Sequence, residues 1–360
     1  MGDGEMGRVS RDESCPYDEI NVVHCINRCV RRGFLCGKDP VSGNNYEYRR
    51  EWIRQRLEFL AQHMAVEVLG FSVMSNHYHV VLRNRPDVVE NWSDDEVALR
   101  WWNLCPGRRN DDDSPAEPTK QELKALKGDK EELAEYRKRL SSVSWYMRFA
   151  SENIARRANA DDGVTGRFWE GRFKCQPLLD DAAILACLQY VDLNPIRAGI
   201  AKTIETSLFT SAQARLADLL AAAECSSVAA ADRACEHGPK AGWLQPVALE
   251  PKRKAVRDKS TGRRTSNKGF LSMTVAEYLD LLDWTGRQIR GDGKSGTIPA
   301  DLEPVFERVG ISPEIWVDCV KRFGKWHASG VGRPESLKRH AERIGRNRSL
   351  NTSLSQQVFA

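Results

Sequence analysis

The run Met74-Ser-Asn-His-Tyr-His-Val-Val-Leu82 constrains this chain more than any other stretch. Its β-branched and aromatic residues predict strand, within a strand region from Ala65 to Arg83 that ends at Pro86. Residues two apart on a strand project from one face. His77 and His79 therefore share a face, and Tyr78, Val80 and Leu82 take the other. Two neutral imidazoles side by side suit a divalent metal whose other ligands come from elsewhere. The same pattern also describes two histidines on a solvated strand face.

The second informative stretch lies about a hundred residues on. Phe168-Trp-Glu-Gly-Arg-Phe-Lys174 precedes a helix expected over 182–193, capped by Asp180 or Asp181 and stopped near Asn194 because Pro195 follows. Tyr190 and Asn194 are four apart and share a helix face. A tyrosine oxygen can serve as a covalent nucleophile, and an asparagine carbonyl can serve a hard cation such as Mg2+. The alternative is a core-edge aromatic followed by a helix C-cap, which the apolar face through Ile184, Leu188 and Val191 supports.

Further elements frame these two. Residues 19–29 predict a first strand; residues 46–64, 141–158 and 212–234 predict helices. Residues 87–140 are charged, with an exposed loop in the middle and a helix from Thr119 to Leu140 that Gly128 weakens. Residues 251–268 hold eight cations against one acid, a net of +7, and read as a flexible basic linker. Beyond it, Thr274 with Glu277 forms a capping-box pair, and Ser312 with Pro313 signals another helix start. The segment Gly291-Asp-Gly-Lys-Ser295 is a turn rather than a phosphate loop, because the earlier glycine position is Gln288.

With 54 Lys and Arg against 50 Asp and Glu, the net charge of +4 over 360 residues does not by itself announce a nucleic-acid protein. The 10 cysteines are dispersed, with no CxxC pair, so reduced thiols are expected. His24, Cys25 and Cys29 are close, but zinc needs a second well-spaced pair. No window reaches the length of an apolar membrane span, and residues 1–18 lack the order of a signal peptide. A cytoplasmic protein without a membrane partner is expected.

Taken together, His77-Tyr78-His79, Phe168-Trp-Glu-Gly-Arg-Phe173 and Tyr190-Val-Asp-Leu-Asn-Pro-Ile-Arg-Ala-Gly199 resemble the single-tyrosine HUH transposases. The likeness is greatest to the REP-associated tyrosine transposases and covers roughly residues 17–205. It implies an α+β fold with a central antiparallel sheet flanked by helices, as in replication initiators and relaxases with their ferredoxin-like core. It implies His77 and His79 as metal ligands, Asn194 as a third, Mg2+ or Mn2+ as cofactor and Tyr190 as nucleophile. The implied reaction is DNA transposition: nicking and rejoining of single-stranded or hairpin DNA through a 5′-phosphotyrosine, without ATP.

A basic groove with aromatic platforms suits such a substrate. Candidates are Arg28, Arg31, Arg32, Arg156, Arg157, Arg167, Arg172 and Lys174, with Trp145, Phe168, Trp169 and Phe173. Solvated charges and core aromatics are the alternatives. Residues 1–210 would form the catalytic domain, with 87–140 inserted; 211–268 an Ala-rich helix and linker; 269–348 a C-terminal helical domain; and 349–360 a tail. The helical domain reads equally as a DNA-binding module, with Val309-Gly-Ile-Ser312 as a helix-turn-helix hint, or as a packing or homodimerisation unit. A domesticated repeat-DNA-binding regulator and a rolling-circle or relaxase-type nicking enzyme are the competing functions. The intact His77, His79 and Tyr190 favour an enzyme, and the lone tyrosine favours a transposase over initiators that use two.

Overall fold

The computed structural model describes residues 15–30, 34–40, 42–225, 240–249, 262–290, 307, 313–325 and 330–345. Four antiparallel strands form one sheet in the order β2-β3-β1-β4. They are β1 (Val22–Arg28), β2 (Val66–Val73), β3 (His77–Asn84) and β4 (Lys174–Leu178). Helices cover both faces, so the fold is α+β.

The strand region expected over 65–83 is two strands. Met74, Ser75 and Asn76 turn the chain, and the Met74 amide donates to the His77 carbonyl at 2.8 Å. The turn is held from outside: the Ser75 carbonyl accepts from the Leu35 and Cys36 amides, and the Asn76 carbonyl from the Cys29 amide. A bulge at Val68/Gly70 shifts the parity of β2. Val66 and Val68 before it, and Phe71 and Val73 after it, consequently reach one core.

That core lies on the first face of the sheet. Val23, Cys25, Tyr78, Val80 and Leu82 pack there against α1 (Arg49–His63) and α6 (Val143–Asp161). Between these helices in sequence, α2 (Pro86–Glu90), α3 (Asp94–Leu104), α4 (Lys120–Gly128) and α5 (Lys130–Leu140) fill the charged region. The loop expected in the middle lies at residues 105–119 and is preceded by α3, a helix that the sequence did not separate out. Ser93 caps it through the Glu96 amide, acids fill its first turn, and Val97, Ala98, Trp101, Trp102 and Leu104 bury its other side. The expected helix over 119–140 breaks at Asp129, whose side chain caps α5.

The second face carries α7 (Asp181–Asp192), capped by Asp180, and its continuation α8 (Asn194–Arg197). Asn194 opens that new turn rather than capping α7. Gly70 lets α7 approach closely, since a Cβ there would overlap the Leu188 side chain. The chain continues in α9 (Ser211–Cys225), α10 (Val275–Arg290), α11 (Pro313–Arg322), a 3-10 turn (Phe323–Lys325) and α12 (Pro334–Arg343).

Tyr278, Leu282, Trp316, Val320 and Phe323 join the same hydrophobic cluster as Leu185, Leu188 and Val191 of α7. The Tyr278 hydroxyl donates to the buried Asp192 carboxylate at 2.5 Å, and Val331 bridges to Leu178 of β4. The Thr274–Glu277 capping box is present in both directions.

Residues 262–268, expected as flexible linker, are packed instead. Ser266 is buried and bonds Glu67, and the Lys268 carbonyl accepts from Arg83 and Gln245. The cause is Glu67, whose buried carboxylate needs Arg83, Arg85 and Ser266 as partners. The linker stretch 251–261, the segment 291–295, the turn 309–312 and the tail 349–360 lie outside the described residues. Among the described residues no helix is long and apolar enough to cross a membrane.

Candidate active site

Strand alternation and the placement of α7 bring two motifs together that are more than a hundred residues apart. Tyr78, Val80 and Leu82 of β3 face the first core, which turns His77 and His79 toward α7. His77 and His79 have ring centroids 4.8 Å apart, and His79 meets Tyr190 of α7 edge-on at 5.6 Å. Tyr190 is 9% exposed and His79 2%. Tyr78 lies on the opposite face, against Trp169.

Burial makes both histidines reluctant to charge. The His77 imidazole is pushed down to about 4, chiefly by burial and secondarily by nearby Arg28. Burial drives His79 well below the usual histidine range. Both rings are therefore neutral at neutral pH and retain a lone pair. His79 Nε2 and Asn194 Nδ2 are buried with no hydrogen-bond partner among the described residues. Orphaned buried polar atoms are costly, and a bound ion is one way to satisfy them.

The two imidazoles stand side by side as donors that fit a hard or borderline divalent cation, and buried Asn194, four residues beyond Tyr190, carries an amide whose half-turn exchanges Oδ1 and Nδ2. Among the described residues no group of three His, Cys, Asp or Glu converges on a metal position. The faint zinc pattern at His24, Cys25 and Cys29 is split by strand alternation, since Cys25 and Cys29 enter the first core and His24 the opposite face.

Three contacts of the site have only faint sequence signals. His24, one strand over, approaches His79, with Nε2 and Nδ1 2.9 Å apart. Its alternation with Cys25 on a predicted strand was readable, but its partner depends on register. Arg197, two helical turns beyond Tyr190, places its guanidinium 4.7 Å from the Tyr190 ring and donates to the Lys321 carbonyl at 2.9 Å. Phe323 tilts against Tyr190 at 5.5 Å, and a Cβ on Gly324 would overlap the tyrosine hydroxyl. The 3-10 turn of the C-terminal region thus lies directly over the tyrosine, with glycine where it comes closest.

Arg28, Arg156, Arg157, Arg167, Arg172 and Lys174 are exposed. Arg28 stands in register with His77 and is the cation nearest the histidines along the sheet. The segment carrying Arg167 and Arg172 is stitched beside it, the Val30 amide donating to the Phe168 carbonyl and the Glu170 amide to the Arg28 carbonyl. Arg157 lies over the Trp52 ring at 3.8 Å, and Arg156 pairs loosely with Glu152 at 3.7 Å. Trp169 differs from an open stacking platform: it is 9% exposed, and its indole N–H donates to the Ser151 carbonyl at 2.8 Å. Phe173 is also buried. Arg31 and Arg32 lie outside the described residues.

No family model matches the chain, and no curated protein matches it. Among solved structures, the chain is similar to that of a REP-associated tyrosine transposase bound to a REP hairpin, at 12% identity and a TM-score of 0.31, over 56% of this chain and 81% of that one.

Proposed function

We propose that this chain nicks and rejoins single-stranded or hairpin DNA through a 5′-phosphotyrosine on Tyr190, with Mg2+ or Mn2+ held by His77, His79 and Asn194. The observation that carries this reading is the meeting of Tyr190 with the His77–His79 face, at 5.6 Å between the Tyr190 and His79 rings. A divalent cation bound there would neutralise a non-bridging phosphate oxygen.

The chain's own residues do the rest. The Tyr190 oxygen attacks phosphorus in line; the new O–P bond replaces the bond to the 3′-oxygen, which takes up a proton as the phenol loses one. The ester keeps the bond energy, so a second 3′-hydroxyl can reverse the step and join new ends. Exposed Arg28, with Arg167, Arg172 and Lys174 on the segment hydrogen-bonded beside it, supplies positive charge for the backbone of the strand.

A second reading, a repeat-DNA binder that does not cut, is favoured by one observation, the closure of Phe323 and Gly324 over the tyrosine. One experiment separates the two. Purified chain is incubated with labelled single-stranded hairpin repeats from its own genome and Mn2+, then run on a denaturing gel. A covalent protein–DNA band is expected from the native chain and none from Tyr190→Phe, and His77→Ala should bind DNA without cutting it. A band that survives Tyr190→Phe overturns the nucleophile. Tight binding with no band in any variant establishes the binder instead.

A further inference from the structure

We propose that His24 is a positioning residue: it holds the His79 ring in the one orientation and tautomer that leave Nε2 to a metal. The proposal rests on the reading of His79 as a metal ligand. His24 stands in register with Val81 of β3 and is therefore diagonal to His79 on the same sheet face, within reach of an aromatic side chain. The two rings are 5.1 Å apart and within 15° of parallel, with His24 Nε2 at 2.9 Å from His79 Nδ1. Both residues are 2% exposed.

His79 thus has one nitrogen engaged by His24, while the other, Nε2, is buried without a partner. A neutral imidazole carries one N–H and one lone pair. When Nδ1–H donates to His24, the lone pair stands on Nε2. Scaffolds commonly orient metal-binding histidines by engaging the second ring nitrogen, usually with a carboxylate or a carbonyl. Here the partner is another imidazole, which can accept through Nε2 only if its own proton sits on Nδ1. Gln176 stands in register with His24 on β4, and its side chain hydrogen-bonds the His24 ring. The sheet therefore lays out a one-way chain across three strands, from β3 through β1 to β4: His79 donates to His24, and His24 donates to Gln176.

His24 also packs edge-on against Tyr190 at 6.1 Å, so simple packing is the competing account. His24→Phe separates the two, since it keeps a ring and removes the acceptor. Mn2+ binding to the full chain is measured by calorimetry, and the protonation of the His79 ring in the metal-free chain by 15N NMR. The expected results are a native chain with His79 protonated on Nδ1 and a His24→Phe chain that binds Mn2+ about 10–100-fold more weakly. Saturating Mn2+ should restore cleavage in that variant, and His24→Asn, which offers an amide carbonyl, should recover part of the affinity.

Native Mn2+ affinity in a folded His24→Phe chain overturns the proposal and leaves the proposed function standing. A native chain that binds no Mn2+ overturns both. If the phenylalanine variant does not fold, the native spectrum decides: His79 protonated on Nε2 rather than Nδ1 overturns the proposal.

Discussion

The two faces of the sheet are built on different plans. The first is covered by α1 and α6, from the part of the chain before the tyrosine helix, and is sealed by residues such as Leu57, Tyr78 and Tyr146. The second face carries His24, His79 and Tyr190, and its core is completed only by the C-terminal helices through Tyr278, Trp316 and Phe323. The contrast shows that the C-terminal region is not an appendage to the site-bearing half. It supplies the wall against which the tyrosine sits.

The sharpest way to break this comparison is Trp316→Ala. Trp316 is 1% exposed and donates to Thr285 at 3.0 Å. Its truncation should cost about 3–5 kcal/mol, because the cavity opens in a closely packed core. Urea unfolding followed by circular dichroism should show one transition at a lower midpoint. Two transitions, with the site-bearing half unaffected, would mean that the C-terminal helices fold apart from it.

Gly70→Ala tests the approach of α7 to the sheet with a smaller effect. The added Cβ meets the Leu188 side chain and Ser211 hydroxyl, so a loss of about 1–3 kcal/mol is expected. Gly128→Ala, at the end of α4 with open space around it, should be neutral or gain about 0.5–1 kcal/mol. Equal effects at both glycines would remove the argument for close packing on the second face.

Acid should distinguish the faces more gently. Burial lowers the His24 and His77 imidazoles to about 4, while their unfolded counterparts charge near 6.5. A depressed histidine resists protonation only in the folded state. Its contribution is therefore complete above about pH 6.5 and is lost as pH falls from there through about 4. The first-face thiols Cys29 and Cys36, raised to about 12 by burial, respond instead to alkali above their ordinary value near 8.5. Urea midpoints across pH should fall on the acid side and flatten partly in His24→Phe. Flattening is partial because His63, also lowered to about 4 by burial, shares the window.

The legible parts were those that depend on local periodicity. Period-two alternation gave the shared face of His77 and His79, and helical spacing placed Tyr190 and Asn194 one turn apart, although Asn194 begins a new turn instead of ending the old one. The turn at 74–76 was hidden because it holds neither glycine nor proline. Helix α3 was hidden because its acidic first turn, Asp94, Asp95 and Glu96, reads as loop polarity although acids favour a helix start.

What local reasoning does not reach is long-range. The His24–His79 contact requires the β1–β3 register, and the cover of Phe323 and Gly324 requires a partner 134 residues from Tyr190 to be placed by the fold. Residues 262–268 look like linker in composition and are ordered by one buried acid, Glu67, on a distant strand.

The central claim is that histidines from the sheet and the tyrosine from the opposing helix act on one phosphate. Peptide mapping of the covalent DNA adduct by mass spectrometry tests it most directly. A nucleotide carried on Tyr190, formed with Mn2+ by the native chain and lost in His79→Ala although the DNA still binds, is the predicted result. A nucleotide carried on any other residue, or an adduct on Tyr190 that forms equally well in His79→Ala, would contradict it.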